Sequence, residues 1–181
     1  VRFKFPGSKN VAFDEESGLP VGWERNKIMD VDISMIDGDR GKNYPKQHDF
    51  FDKEFCLFLN TGNVTSSGLD FNNLKFITKE KDSLLRNGKL IANDIIITTR
   101  GTIGNVAYYR NDIPYKNVRI NSGMLILRSN SKNILSNYIY QVFISRLFQQ
   151  TVRLFSYGAA QPQLPIGTLK NIKIVIPDFK T

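Results

Sequence analysis

The stretch Ile95-Ile-Ile-Thr-Thr-Arg-Gly-Thr-Ile-Gly-Asn-Val-Ala-Tyr-Tyr109 concentrates the groups in this chain that could do chemistry. Two apolar runs flank Thr98-Thr-Arg-Gly-Thr-Ile-Gly104. The β-branched residues Ile95 to Ile97 read as a buried strand, and Asn105 to Tyr109 as a second. Two glycines allow a tight turn between them. Such a turn presents one arginine, threonine hydroxyls and bare backbone amides at a strand end. These are the groups that hold phosphates and base edges. An ordinary hairpin with a solvated arginine has the same local pattern.

The elements that must position this turn follow from the rest of the chain. The 181 residues suit one domain, with a core of useful size. At 41% apolar and 12% aromatic residues the composition is globular. Strands are expected at Ile33–Ile36, Phe55–Leu59, Gly123–Leu127 and 172–177, beside the two around the turn. Lys27 to Val31 suits one short helical turn. Thr78 caps a helix running to about Arg86, with Leu84 and Leu85 as its buried side and Asn87-Gly88 as its stop. Leu135, Ile139, Val142, Phe143 and Leu147 recur at three and four residues, which predicts a mostly buried helix over 134–150. A short helix is expected over Ile166–Asn171. Residues 1–18 read as an arm or linker, and 19–181 as the domain. The only tryptophan, Trp23, is expected on the edge of the core.

Charge is distributed unevenly. Residues 1–60 carry 9 Lys and Arg against 11 Asp and Glu, a balance of −2. Residues 61–181 carry 16 against 6, a balance of +10. Residues 121–150 contain no acid. A basic face favours an anionic partner, most often nucleic acid. Asp37-Gly-Asp-Arg-Gly-Lys-Asn-Tyr-Pro-Lys46 mixes bases with an aromatic, which suits a nucleic-acid-facing loop. A calcium-loop reading fails because the twelfth position from Asp37 is His48, not glutamate. Asn60-Thr-Gly-Asn-Val-Thr-Ser-Ser-Gly68 is a polar loop that either reads base edges or merely turns. Gln161 and Gln163 flank Pro162; their amides match the edge of adenine, or else satisfy backbone in a fixed loop.

Enzymatic chemistry finds little support. There is one histidine and one cysteine, with no metal-ligand spacing and no phosphate loop. Cys56, in an apolar run, reads as a buried small side chain and fits a reducing cytoplasm. Asn111-Asp-Ile-Pro-Tyr115 resembles the Asn-Pro-Pro-Tyr motif of adenine methyltransferases only faintly, with the wrong spacing. No apolar run is long enough to span a membrane. No cofactor is expected.

The ordered set Leu19-Pro-Val-Gly-Trp-Glu24, Thr98-Thr-Arg-Gly-Thr-Ile-Gly-Asn-Val-Ala107, Ile120-Asn-Ser-Gly123, Gly158-Ala-Ala-Gln-Pro-Gln-Leu164 and Leu169-Lys-Asn-Ile-Lys-Ile174 closely resembles one target recognition domain of the DNA specificity subunit of type I restriction–modification systems. The resemblance covers about residues 19–177. It implies a mixed α/β (α+β) fold with a twisted sheet and a few packed helices. It also implies a non-catalytic domain that reads one half of a split site on double-stranded DNA. The modification subunits of such systems methylate adenine from S-adenosylmethionine, and the restriction subunits hydrolyse ATP and cleave DNA; both are implied partners. The family's conserved coiled-coil helix and second recognition domain are not seen in these residues. Self-association of this piece is a further expectation. The rival readings are a protein-interaction module and an RNA-binding module with a basic surface.

Candidates for phosphate or guanine contacts are Arg40, Lys42, Lys46, Arg100 and Arg119. Candidates for base edges or sugars are Tyr44, Thr61, Asn63, Thr102, Asn121, Tyr157, Gln161 and Gln163.

Overall fold

A computed structural model of the chain describes residues 12–130, 136–156 and 163–177. In chain order the strands are β1 (Glu24–Lys27), β2 (Ile33–Asp37), β3 (Cys56–Leu59), β4 (Val64–Thr65), β5 (Gly68–Leu69) and β6 (Phe76–Ile77). Helix α1 (Lys79–Leu84) follows, then β7 (Ile95–Thr98), β8 (Val106–Tyr108), β9 (Val118–Ile120) and β10 (Met124–Ser129). Helices α2 (Ser136–Ile144), α3 (Arg146–Ser156) and α4 (Ile166–Asn171) precede β11 (Lys173–Ile176). The domain is mixed α+β, and its strands fall into several sheets rather than one.

The central sheet is antiparallel, in the order β2-β10-β7-β8. Its strands are apolar on both sides because both sides are covered. Ile95, Ile97, Leu125 and Leu127 face a core closed by Ile139, Phe143, Phe148, Val152 and Leu169 of the helices. Ile96, Met124 and Ile126 face a second core shared with Leu57, Leu59 and Ile120. A strand buried on both faces reads as a continuous apolar run rather than an alternating one. Full burial of each such isoleucine contributes about 1.5–3 kcal/mol. A mixed sheet, β6-β3-β9, backs the second core, with β3 and β9 parallel. Two short ribbons, β1-β11 and β4-β5, complete the described strands.

The Thr78 side chain accepts a bond from Lys81 N–H and starts α1 as expected. The helix ends at Leu84, not Arg86, and Leu84 is exposed while Leu85 is buried. The expected helix over 134–150 is broken at Ser145, and its first residues, with Leu135, lie outside the described residues. The Ser145 hydroxyl donates to Val142 O at 2.6 Å and accepts from Phe148 N–H at 3.4 Å. A hydroxyl that bonds to neighbouring backbone in this way ends one helix and caps the next. The break turns Leu147 outward, against the expectation that it is buried. Trp23 lies at the edge of the core, edge-to-face with Tyr138 at 6.3 Å.

Candidate nucleic-acid interface

The turn after β7 is built almost wholly from its own threonines and glycines. The Thr98 hydroxyl donates to Thr102 O and accepts from Asn105 N–H at 3.0 Å. Gly104 N–H bonds Thr98 O at 2.9 Å. Gly104 has φ +83°, and a Cβ there would lie 2.8 Å from Val152 Cγ1 of α3. Only glycine meets both demands. Gln149 of α3 donates its amide to Gly104 O at 2.8 Å, so α3 fixes the turn from behind.

A second clamp holds the start of the turn. Gly123 O accepts from Thr99 N–H at 2.8 Å, from Arg100 N–H at 3.2 Å and from the Thr99 hydroxyl at 3.0 Å. Asn121 in turn accepts Gly123 N–H at 2.9 Å. A Cβ on Gly123 would lie 2.7 Å from Thr61 Cγ2 and 3.7 Å from Arg100 Cβ. Backbone bridging pairs Arg100 with Gln163. Four separate chain segments therefore bring Thr61, Arg100, Asn121 and Gln163 together at the carboxyl ends of β3, β7 and β9. Arg40 joins them from a fifth segment, donating to Ser122 O at 3.1 Å and pairing with Asp37 at 3.0 Å.

Charge and exposure separate these groups. Arg100, Thr102 and Gln163 are exposed, while Thr61 and Asn121 are half-buried. Arg100 has no carboxylate partner among the described residues, unlike Arg40. The amides of Gly101, Thr102 and Ile103 likewise meet no acceptor among the described residues. A rigid turn with open amides, a hydroxyl and a free guanidinium is suited to hold a phosphate or a guanine edge.

The loop before the 3₁₀ turn Gln47–Asp49 is organised by Asp39. This buried carboxylate accepts from Gly41 N–H and Arg86 N–H, both at 2.7 Å. Burial opposes its charge, yet these amide bonds prevail and hold its carboxyl below the ordinary aspartate range. Lys42 and Lys46 stand exposed on this loop. Tyr44 instead turns partly inward, edge-to-face on Phe58 at 5.8 Å.

Two candidates prove to be internal. Arg119 is 6% exposed, and its guanidinium makes four hydrogen bonds inside the protein. Its guanidinium pairs with Asp82 at 2.6 Å and donates to Asp82 O, Leu85 O and Asn87 O at 2.7–3.0 Å. It thereby caps the carboxyl end of α1, where helix carbonyls lack partners. Asn63 is 3% exposed and donates to Asp70 O and Asn72 O, both at 3.1 Å, which pins the loop after β3. Both side chains are spent on the protein's own backbone and carboxylate groups. Tyr157 and Gln161 lie outside the described residues. The residues not singled out from sequence are Gly123, whose carbonyl is the clamp, and Gln149, which braces Gly104. The only sequence signal for Gly123 was its place in Ile120-Asn-Ser-Gly123; Gln149 gave none.

No group of three or more His, Cys, Asp or Glu among the described residues is placed to hold a metal. Cys56 is buried, and burial, followed by the nearby Asp82 charge, pushes its thiol up to about 12. No described helix is long and apolar enough to cross a membrane.

The chain is similar to known proteins. It is 27% identical over 128 residues to the type I restriction enzyme EcoBI specificity subunit of Escherichia coli, covering 71% of this chain and 26% of that protein. It is 20% identical over 149 residues to the HindI specificity subunit of Haemophilus influenzae, covering 80% and 31%. The S subunit of a type I restriction-modification system from M. genitalium shares the fold, with a TM-score of 0.60 at 16% identity, over 87% of this chain and 35% of that one. The HsdS subunit of Thermoanaerobacter tengcongensis does so too, with a TM-score of 0.60 at 15% identity, over 97% and 36%. The chain thus spans about a third or less of the length of the relatives it matches. The type I restriction modification DNA specificity domain family matches residues 20–181, and the chain belongs to that family.

Proposed function

We propose that this domain reads one half of a split double-stranded DNA site and does no catalysis itself. The observation that carries the reading is the cluster at Arg100. An exposed guanidinium without a carboxylate partner among the described residues stands on a turn held rigid by Gly123, with Thr61, Asn121 and Gln163 beside it. Rigid positioning of a few hydrogen-bonding groups gives sequence discrimination, whereas mobile lysines give only phosphate affinity. Lys42 and Lys46 supply the latter. In the cytoplasm such a domain would direct the modification and restriction subunits of a type I system to their site.

The test is selection of duplexes from a random pool at about 50 mM and about 200 mM salt, followed by sequencing. Phosphate contacts release counterions, so total binding falls steeply over that range. A short motif enriched at both salts is the expected result. Retention of DNA without enrichment at either salt would remove the specificity reading.

A further inference from the structure

Leu147 and Leu154 of α3 are the most exposed large apolar side chains among the described residues, at 79% and 78%. They lie seven residues apart, two turns along one face, with Phe155 alongside at 51% exposed. A groove of about 330 Å³ opens beside Leu147, which lines it. Its floor includes Phe148, Ile172 and Ile174, and Lys173 stands in its wall. Large apolar side chains this exposed, at the mouth of an apolar groove, mark an interaction site. It belongs to the face of α3 away from the turn, since Gln149 and Val152 hold Gly104 on the other side.

Charge identifies the occupant. No Asp or Glu occurs between Asp112 and Asp178, while that interval carries eight Lys and Arg, of which Arg119 and Arg128 are paired internally. Arg146 is exposed about 100° round the helix from the leucines. Lys173 borders the other side of the groove. A second copy of this chain would set Arg146 and Lys173 against the same positive charges. A duplex offers nothing to two exposed leucines. We propose that this face docks an amphipathic helix of a partner protein, with apolar residues at seven-residue spacing and acidic residues flanking them. The inference is independent of the DNA reading.

The probe is a fluorescent helical peptide of about three heptads with leucine at a and d and glutamate at e and g. A second peptide carries lysine in place of glutamate. Anisotropy with the whole chain should show binding of the glutamate peptide and about tenfold weaker binding of the lysine one. Leu147→Gln and Leu154→Gln, both at exposed positions, should each weaken the glutamate peptide about tenfold and leave the far-ultraviolet circular dichroism unchanged. The double reversal Arg146→Glu with Lys173→Glu should shift preference to the lysine peptide. Equal binding of both peptides, or binding of neither, overturns the proposal. Self-association in sedimentation that Leu147→Gln abolishes also overturns it, in favour of a second copy.

Discussion

Arg100 and Arg119 stand nineteen positions apart in the same basic half of the chain, Arg100 just past β7 and Arg119 within β9, and the fold gives them opposite roles. Around Arg119 every charge is answered. Asp82 takes Arg119 on one oxygen and Lys89 on the other, each at 2.6 Å, and three further guanidinium bonds go to carbonyls at and just past the end of α1. Asp94, fully buried, takes Arg128 with both oxygens at 2.7–2.8 Å. Around Arg100 the polar effort goes into fixing backbone, and the charge itself is left facing solvent. A satisfied charge is structure, whereas an unsatisfied charge on a rigid support is available to a partner. The contrast also shows that net charge overstates the binding surface, since Arg119, Arg128 and Lys89 are spent internally.

Breaking the first region should have the largest effect. Arg119→Ala leaves Asp82 with Lys89 as its one remaining cation and strips the end of α1, so stability should fall by about 3–5 kcal/mol. Denaturant unfolding measures this, and a loss below about 1 kcal/mol would mean that the lock contributes little. The joint between the two regions should respond next. Gly123→Ala drives a methyl into Thr61 and displaces the carbonyl that holds Thr99 and Arg100. A loss of about 1–3 kcal/mol is expected from such overpacking, with weakened DNA binding in the fraction still folded.

Acid sharpens the comparison further. Burial opposes the charge of Asp82, but bonds from Lys89, Arg119 and Cys56 outweigh it and hold its carboxyl below the ordinary aspartate range. Asp39 is lowered likewise, by backbone amides. Both groups bind protons less readily folded than unfolded. Their stabilisation is therefore complete at neutral pH and lost as pH falls below about 4, through the folded values. Asp82→Asn should lower stability at pH 7 and flatten this acid limb, as read by thermal unfolding from pH 7 to pH 3. An unchanged limb would move the acid sensitivity to other groups.

Much of the fold was legible because its signals are local. The isoleucine run of β7, the Thr78 cap and the glycine pair of the turn each declare themselves within a few residues. The fate of Arg119 did not, because it depends on a carboxylate 37 positions away. Asn63 reads like any loop amide until its carbonyl partners fold over it. The 134–150 periodicity correctly indicated helix but could not reveal that Ser145 interrupts it. Nor could it show which apolar face is covered, so Leu147 was misassigned. In the candidate site the side chains were visible in sequence, but the carbonyl of Gly123 that assembles them was not, since any residue carries one.

The central claim concerns Arg100 and is tested most directly by the ratio of affinities for an enriched duplex and a scrambled one, measured for the wild-type chain and Arg100→Ala at about 200 mM salt. The Arg100 side chain is exposed and makes no hydrogen bond or ion pair among the described residues, so the variant should keep its stability within about 0.5 kcal/mol. The account predicts a loss of about 1–3 kcal/mol in discrimination, with a smaller loss of affinity for the scrambled duplex. An unchanged ratio in a folded variant would contradict it and leave Arg100 as a solvated charge on an ordinary hairpin.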